Sequence, residues 1–117
     1  MNRGAQAEQL AADYLQSRGM RVLFRNYHSR YGEIDLIAAD DRYLAFVEVK
    51  CRTKGGLTEP LETVTRAKQK KIIQTAQCFL QQHPCELQPR FDVAAVTAEG
   101  ETLSFKDLIY LENAFGL

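Results

Sequence analysis

The chain has 117 residues, and its 15 lysines and arginines balance 15 aspartates and glutamates for a formal net charge of zero. At 45% hydrophobic and 26% charged residues, it has the make-up of one globular domain, 1–117, able to bury a core. No apolar run approaches membrane-spanning length and Met1–Glu8 lacks an apolar signal core, so the expectation is a cytoplasmic protein with no membrane partner.

Cys51, Cys78 and Cys85 form an odd set without CxxC spacing. That argues against a disulfide framework or a zinc site, and the three are expected only to pack. The neutral total hides an asymmetry. Residues 50–71 carry seven basic groups (Lys50, Arg52, Lys54, Arg66, Lys68, Lys70, Lys71) against Glu59 and Glu62, a local excess of five positive charges. A concentrated basic segment of this kind can bind a polyanion without selecting DNA over RNA.

From Gly4 to Arg18, Ala7, Leu10, Ala11, Tyr14 and Leu15 fall on one helical face, and Gly19 supplies a natural stop. Glu8 lies beside Leu15 at the border of that face, either as a solvated edge residue or leaning over the hairpin as an extra metal ligand. Met20–Tyr27 predicts a first strand, followed by a polar connection, His28–Gly32. Arg25, His28 and Arg30 there suit phosphate or plain solvent. His28 and His83 have no metal-pair spacing.

Gly32 to Lys50 reads as a β-hairpin whose two apolar runs flank an Asp40-Asp41-Arg42 turn. Three charged residues interrupt those runs: Asp35, Glu48 and Lys50. Strand alternation puts Phe46, Glu48 and Lys50 on one face, with Glu48 and Lys50 about 7 Å apart. Asp35, if it points the same way from the adjacent strand, converges with them. Charges in an apolar strand are costly unless paired or bound to a metal. Two readings are open: a Glu48–Lys50 ion pair with Asp35 capping a strand end, or a carboxylate site for a divalent cation with a lysine beside it.

Cys51–Pro60 is predicted as a Gly-Gly-containing loop carrying Arg52 and Lys54, suited to contact substrate or simply to be solvated. Thr65 opens a helix with Ile72, Ile73, Ala76, Phe79 and Leu80 on one face and Pro84 after it. Arg66, Lys68, Lys70 and Lys71 crowd its first two turns, where the helix dipole disfavours cations by a few tenths of a kcal/mol each. A phosphate partner would offset that cost. Arg90–Thr97 is a further strand, then a turn at Ala98–Glu101 and a short run from Thr102 to Phe105. Leu108–Leu111 is an edge strand or tail element that could equally make a homodimer contact. The order α-β-β-β-α-β-β, with a possible additional strand, predicts an α/β fold: a mixed sheet flanked by helices.

Asp35, Glu48, Val49 and Lys50 resemble the D…(D/E)-x-K core of the restriction-endonuclease-like superfamily. Arg25-Asn26-Tyr27, Gly32-Glu33-Ile34-Asp35-Leu36-Ile37, Phe46–Arg52, Lys68 and Arg90-Phe91-Asp92-Val93, taken in order, are similar to the YraN family of small bacterial proteins. Ile34 stands where a proline often precedes the first acid. The resemblance implies a restriction-endonuclease-like fold with Mg²⁺ (or Mn²⁺) held by Asp35, Glu48 and the Val49 carbonyl. Lys50 would then orient or deprotonate water. Archaeal Holliday-junction resolvases of this superfamily carry a glutamate on the N-terminal helix, and Glu8 matches that placement. The implied activity is hydrolysis of DNA phosphodiesters, junction DNA among the candidate substrates. The rivals are a non-catalytic nucleic-acid-binding module and a small interaction protein in which Glu48 and Lys50 merely pair.

Overall fold

Asn2 caps the first helix: its side-chain oxygen accepts from the Ala5 backbone N–H at 2.8 Å. A computed structural model describes residues 2–53, 64–98 and 108–116. The capped helix, α1 (Arg3–Ser17), ends before Gly19, whose φ of +86° is left-handed backbone open to glycine at little cost. Three strands follow, β1 (Arg21–His28), β2 (Glu33–Ala39) and β3 (Tyr43–Thr53), then α2 (Arg66–Gln82), β4 (Gln88–Ala98) and β5 (Leu108–Phe115). The strands form one five-stranded sheet in sequence order. Neighbouring pairs are antiparallel except β3 and β4, which run parallel because α2 crosses between them. The α/β class and element order are those read from the sequence.

Both faces of the sheet are covered, so β2 and β3 read as near-continuous apolar runs. Leu36 and Ala38 of β2, with Ala45 and Val47 of β3, pack toward Ala11, Ala12 and Leu15 of α1. Ile37, Leu44 and Phe46 pack toward Ile72, Ala76 and Phe79 of α2. A fully buried side chain of this size contributes roughly 1.5–3 kcal/mol. Phe79 sits at the hub of the second core, edge-on to Phe46 and to Tyr27. Truncating it to alanine would cost about 3–5 kcal/mol.

On the opposite face of the sheet from Glu48, in register with Val47, Asp92 is wholly buried yet fully bonded. Arg90 grips both its oxygens at 3.0–3.1 Å, the Tyr110 hydroxyl donates at 2.6 Å and the Asn113 backbone N–H at 2.8 Å. Burial and the Asp92 charge raise the Tyr110 pKa strongly, so the phenol stays protonated and donating. The β4–β5 register shifts between Phe91 and Val93, and Asn113 takes a left-handed φ of +50°. Asp92 satisfies the backbone donor at that irregularity. The Arg90–Asp92 segment therefore ties β5 to the sheet.

The structure corrects three expectations. Cys51 and Arg52 lie in β3 and not in a loop, because the parallel ladder with β4 runs on to Thr53↔Ala98. Cys51 and Cys85 are exposed, so only Cys78 is partly packed. The final strand extends to Phe115 as an edge of the sheet, four residues beyond the predicted Leu111. Lys54, with the rest of the predicted loop, and Thr102–Phe105 lie outside the described residues. No helix among the described residues is long and apolar enough to cross a membrane.

Candidate active site

The β2–β3 register runs from Ala39↔Leu44 to Leu36↔Val47. One step further it would place Asp35 opposite Glu48. There the Asp35 carboxylate, not a backbone carbonyl, accepts the Val49 N–H, at 2.7 Å. An extended residue turns its N–H and C=O to the same side of the strand, so the Val49 carbonyl also faces the β2 side. Asp35, Glu48 and Lys50 share the α2 face, as alternation from Ile37 and Phe46 requires.

Glu48 is only 4% exposed. Its Oε1 meets two ammonium groups, Lys68 Nζ at 2.6 Å and Lys50 Nζ at 3.3 Å. Lys68 reaches it from the first turn of α2, where Thr65 caps the helix by accepting the Lys68 backbone N–H at 3.2 Å. Both halves of the plainer reading are thus present: Asp35 caps a backbone donor, and Glu48 pairs with Lys50. The acids nonetheless share one cleft of about 390 Å³, walled by Gly32 and Glu33 on one side and by Lys68, Lys71 and Ile72 on the other.

The electrostatics of this cleft are uneven. Burial and the nearby Glu48 push Asp35 up to about 7. Burial, then the neighbouring Lys68, draws Lys50 down from the usual lysine range. Burial also opposes charge on Lys68, but its hydrogen bond to Glu48 prevails and raises it. Glu48 is therefore compensated by lysine, whereas Asp35 has one backbone donor and a repelling neighbour.

That donor set defines what the site could hold. Asp35, Glu48 and the Val49 carbonyl offer three oxygens on one side of β3. Mg²⁺ takes six, and is commonly bound by one or two carboxylates with water and substrate phosphate completing the shell. The residues fit such an open site. They do not make a closed all-protein cage: among the described residues, no group of three or more His, Cys, Asp or Glu side chains is placed to hold an ion.

Glu8 arrives from α1, on the other side of the sheet. The Asn26 amide, oriented to satisfy both partners, donates to Glu8 Oε1 at 3.0 Å and Glu33 Oε1 at 2.8 Å. Burial and Glu33 raise the Glu8 pKa, and Glu8 in turn adds to the raising of Asp35. Glu8 thus does not line the cleft with Asp35 and Glu48, and is linked to them only through Asn26, Glu33 and long-range charge. Asn26 and Glu33 are the partners sequence reasoning missed. The available signal was the asparagine itself, a residue that tolerates the left-handed φ of +52° found there.

The basic residues do not form one patch. Lys68 and Lys71 line the acidic cleft. Arg66 and Lys70 instead line a separate groove of about 710 Å³ beside Phe115 and Gly116. Arg25 is exposed and donates to Gln9 of α1 at 3.1 Å. Arg52 lies on β3, its Nε 3.4 Å from the Thr97 hydroxyl.

Fold and site together define a small α/β protein with a mixed sheet and an acid–lysine cleft where β2 and β3 part. The chain belongs to the family described as "Uncharacterised protein family UPF0102", whose model matches residues 7–96. That membership supports the family-level resemblance read from the sequence. A UPF0102 protein of Nitrosococcus oceani is 43% identical over 120 residues, covering 97% of this chain and 91% of its own. One from Prosthecochloris aestuarii is 50% identical over 98 residues (83% and 77%), and one from Stutzerimonas stutzeri 43% over 118 residues (96% and 92%).

Proposed function

We propose that this protein is a metal-dependent nuclease of the restriction-endonuclease-like superfamily, acting on DNA phosphodiesters in the cytoplasm. The observation that carries the reading is the convergence of Asp35 and Glu48 in one cleft with Lys50 and Lys68 beside them. Asp35, Glu48 and the Val49 carbonyl would hold Mg²⁺ or Mn²⁺. Such an ion lowers the pKa of bound water and offsets charge on phosphoryl oxygens.

The chain's own groups divide the remaining work. Lys50, lowered by burial and by Lys68, is the lysine suited to take a proton from the attacking water. Lys68 keeps its charge against Glu48 and is suited to stabilise the negative charge that develops on the phosphate. Asp35 must be ionised to bind a cation, so with its ion-free pKa raised to about 7, protons compete with the cation and binding weakens as pH falls below that value. Glu8 and Glu33, tethered by Asn26, keep the same end of the cleft acidic.

One observation favours a second reading, a nucleic-acid-binding module without catalysis. The two lysines between them compensate the Glu48 charge. A cleavage panel separates the two: labelled single-stranded, duplex, flap and four-way-junction DNA with Mn²⁺, with Asp35→Ala as control. The nuclease reading expects cleavage of at least one substrate that Asp35→Ala abolishes. Binding without cleavage on every substrate would leave the module.

A further inference from the structure

Beyond the acidic cleft, α2 and the β1–β2 connection enclose a second groove, of about 500 Å³. Its walls include His28, Arg30 and Tyr31 from the connection and Gln74, Gln77 and Gln81 from the helix. Among the described residues, no carboxylate lines it. Ser29 of the groove bonds the buried Thr75 of α2, their hydroxyls 2.8 Å apart, and Tyr31 is followed at once by Gly32, which lines the cleft. Groove and cleft are therefore neighbours along α2. From Lys71 to Gln81 the helix advances about 15 Å at 1.5 Å per residue.

The groove's chemistry is specific in kind. Arg30 lies over the Tyr31 ring at 4.9 Å and donates to its hydroxyl at 2.7 Å, giving a cationic and aromatic platform. The amides of Gln74, Gln77 and Gln81 make no side-chain hydrogen bond among the described residues, and each can both donate and accept. A planar platform, a cation and amides, with the nearest described carboxylate, Glu33, outside the groove at 3.9 Å from His28, match an unpaired nucleotide: a base to stack, a phosphate to neutralise and polar edges to bond. A duplex turns its phosphates outward on a convex surface and cannot enter a trough of this volume.

We infer that this groove binds single-stranded nucleic acid, leading an unpaired strand along α2 to the acidic cleft. The assignment of the strand's destination rests on the nuclease reading; the binding itself does not. It deepens that reading by selecting substrates with an unpaired arm, such as flaps or overhangs.

The test uses the full chain in EDTA, so that no cleavage occurs. The natural chain has no tryptophan, which makes Tyr31→Trp a reporter at the groove. The probe is a twelve-residue oligothymidylate, with oligouridylate and a duplex of equal length as further arms. The inference expects saturable quenching by the single strands, roughly tenfold weaker binding when Arg30→Ala is added, and little response to the duplex. Response to both single strands keeps the shared chemistry, and preference for one names the sugar. Absence of quenching, quenching by duplex at equal affinity, or indifference to Arg30→Ala overturns it. To exclude a folding defect, Arg30→Lys should recover part of the affinity. Groove binding in a protein that never cuts would sink the nuclease reading alone; cleavage without quenching would sink the groove alone.

Discussion

Lys68 Nζ lies 2.6 Å from Glu48 Oε1, joining the first turn of α2 to the middle of β3. This contact explains why a cation is stable at the helix end where the dipole disfavours it: a buried carboxylate provides the compensation. It also gives Lys68 a second partner besides any phosphate.

Replacing Lys68 with methionine keeps the stem and removes the charge. Because Lys68 is 41% exposed, the loss is smaller than for a fully buried pair, and we expect about 1–2 kcal/mol in urea denaturation. The same variant should bind Mn²⁺ more tightly, since one competitor for Glu48 is gone. Weaker or unchanged Mn²⁺ affinity would mean that Lys68 does not compete at that oxygen.

The raised pKa of Asp35 predicts a pH dependence of stability. The folded protein holds this proton up to about 7, whereas the ordinary value is 3.8. Between those limits the folded state binds more protons than the unfolded one, so Asp35 makes stability fall as pH rises through that window. Asp35→Asn retains an acceptor for the Val49 N–H and cannot ionise. It should exceed the parent by as much as about 4 kcal/mol at pH 8, with the gap closing by pH 4. An equal gap at both pH values would remove Asp35 as its source.

The hairpin and its charges were legible because strand alternation alone puts Glu48 and Lys50 on one face. Asp35 required one more step, the register with β3. The partnership of Lys68 with Glu48 was not legible: it depends on a long-range crossing of α2 over the sheet, which helical periodicity does not locate. The same limit applies to Asn26, whose two glutamates come from different elements. The four cations early in α2 looked like one patch, but their helical angles send Arg66 and Lys70 to one side and Lys68 and Lys71 to the other.

Asp92 provides a contrast between architecture and chemistry. Asp92→Ala leaves the Arg90 guanidinium without its bidentate partner and frees two further donors, so a loss of about 3–5 kcal/mol is expected by denaturation. Its effect on oligonucleotide binding, measured where the variant remains folded, should be small. A selective binding defect with unchanged stability would reassign this aspartate to the site.

The divided basic residues predict divided salt effects. Lys71→Ala, at the cleft, should lower the slope of log K against log salt for a single strand by about 0.7, the value of one phosphate contact. Lys70→Ala, facing the other groove, should change it less. Equal reductions would extend the nucleic-acid path around both sides of α2.

The most direct test of the central claim is calorimetric titration of the folded protein with Mn²⁺ at pH 8, comparing the parent with Asp35→Asn and Glu48→Gln. The account predicts one saturable site in the parent that either substitution abolishes, with both variants still folded. An identical isotherm in all three proteins, or no bound ion in the parent even with oligonucleotide present, would contradict it.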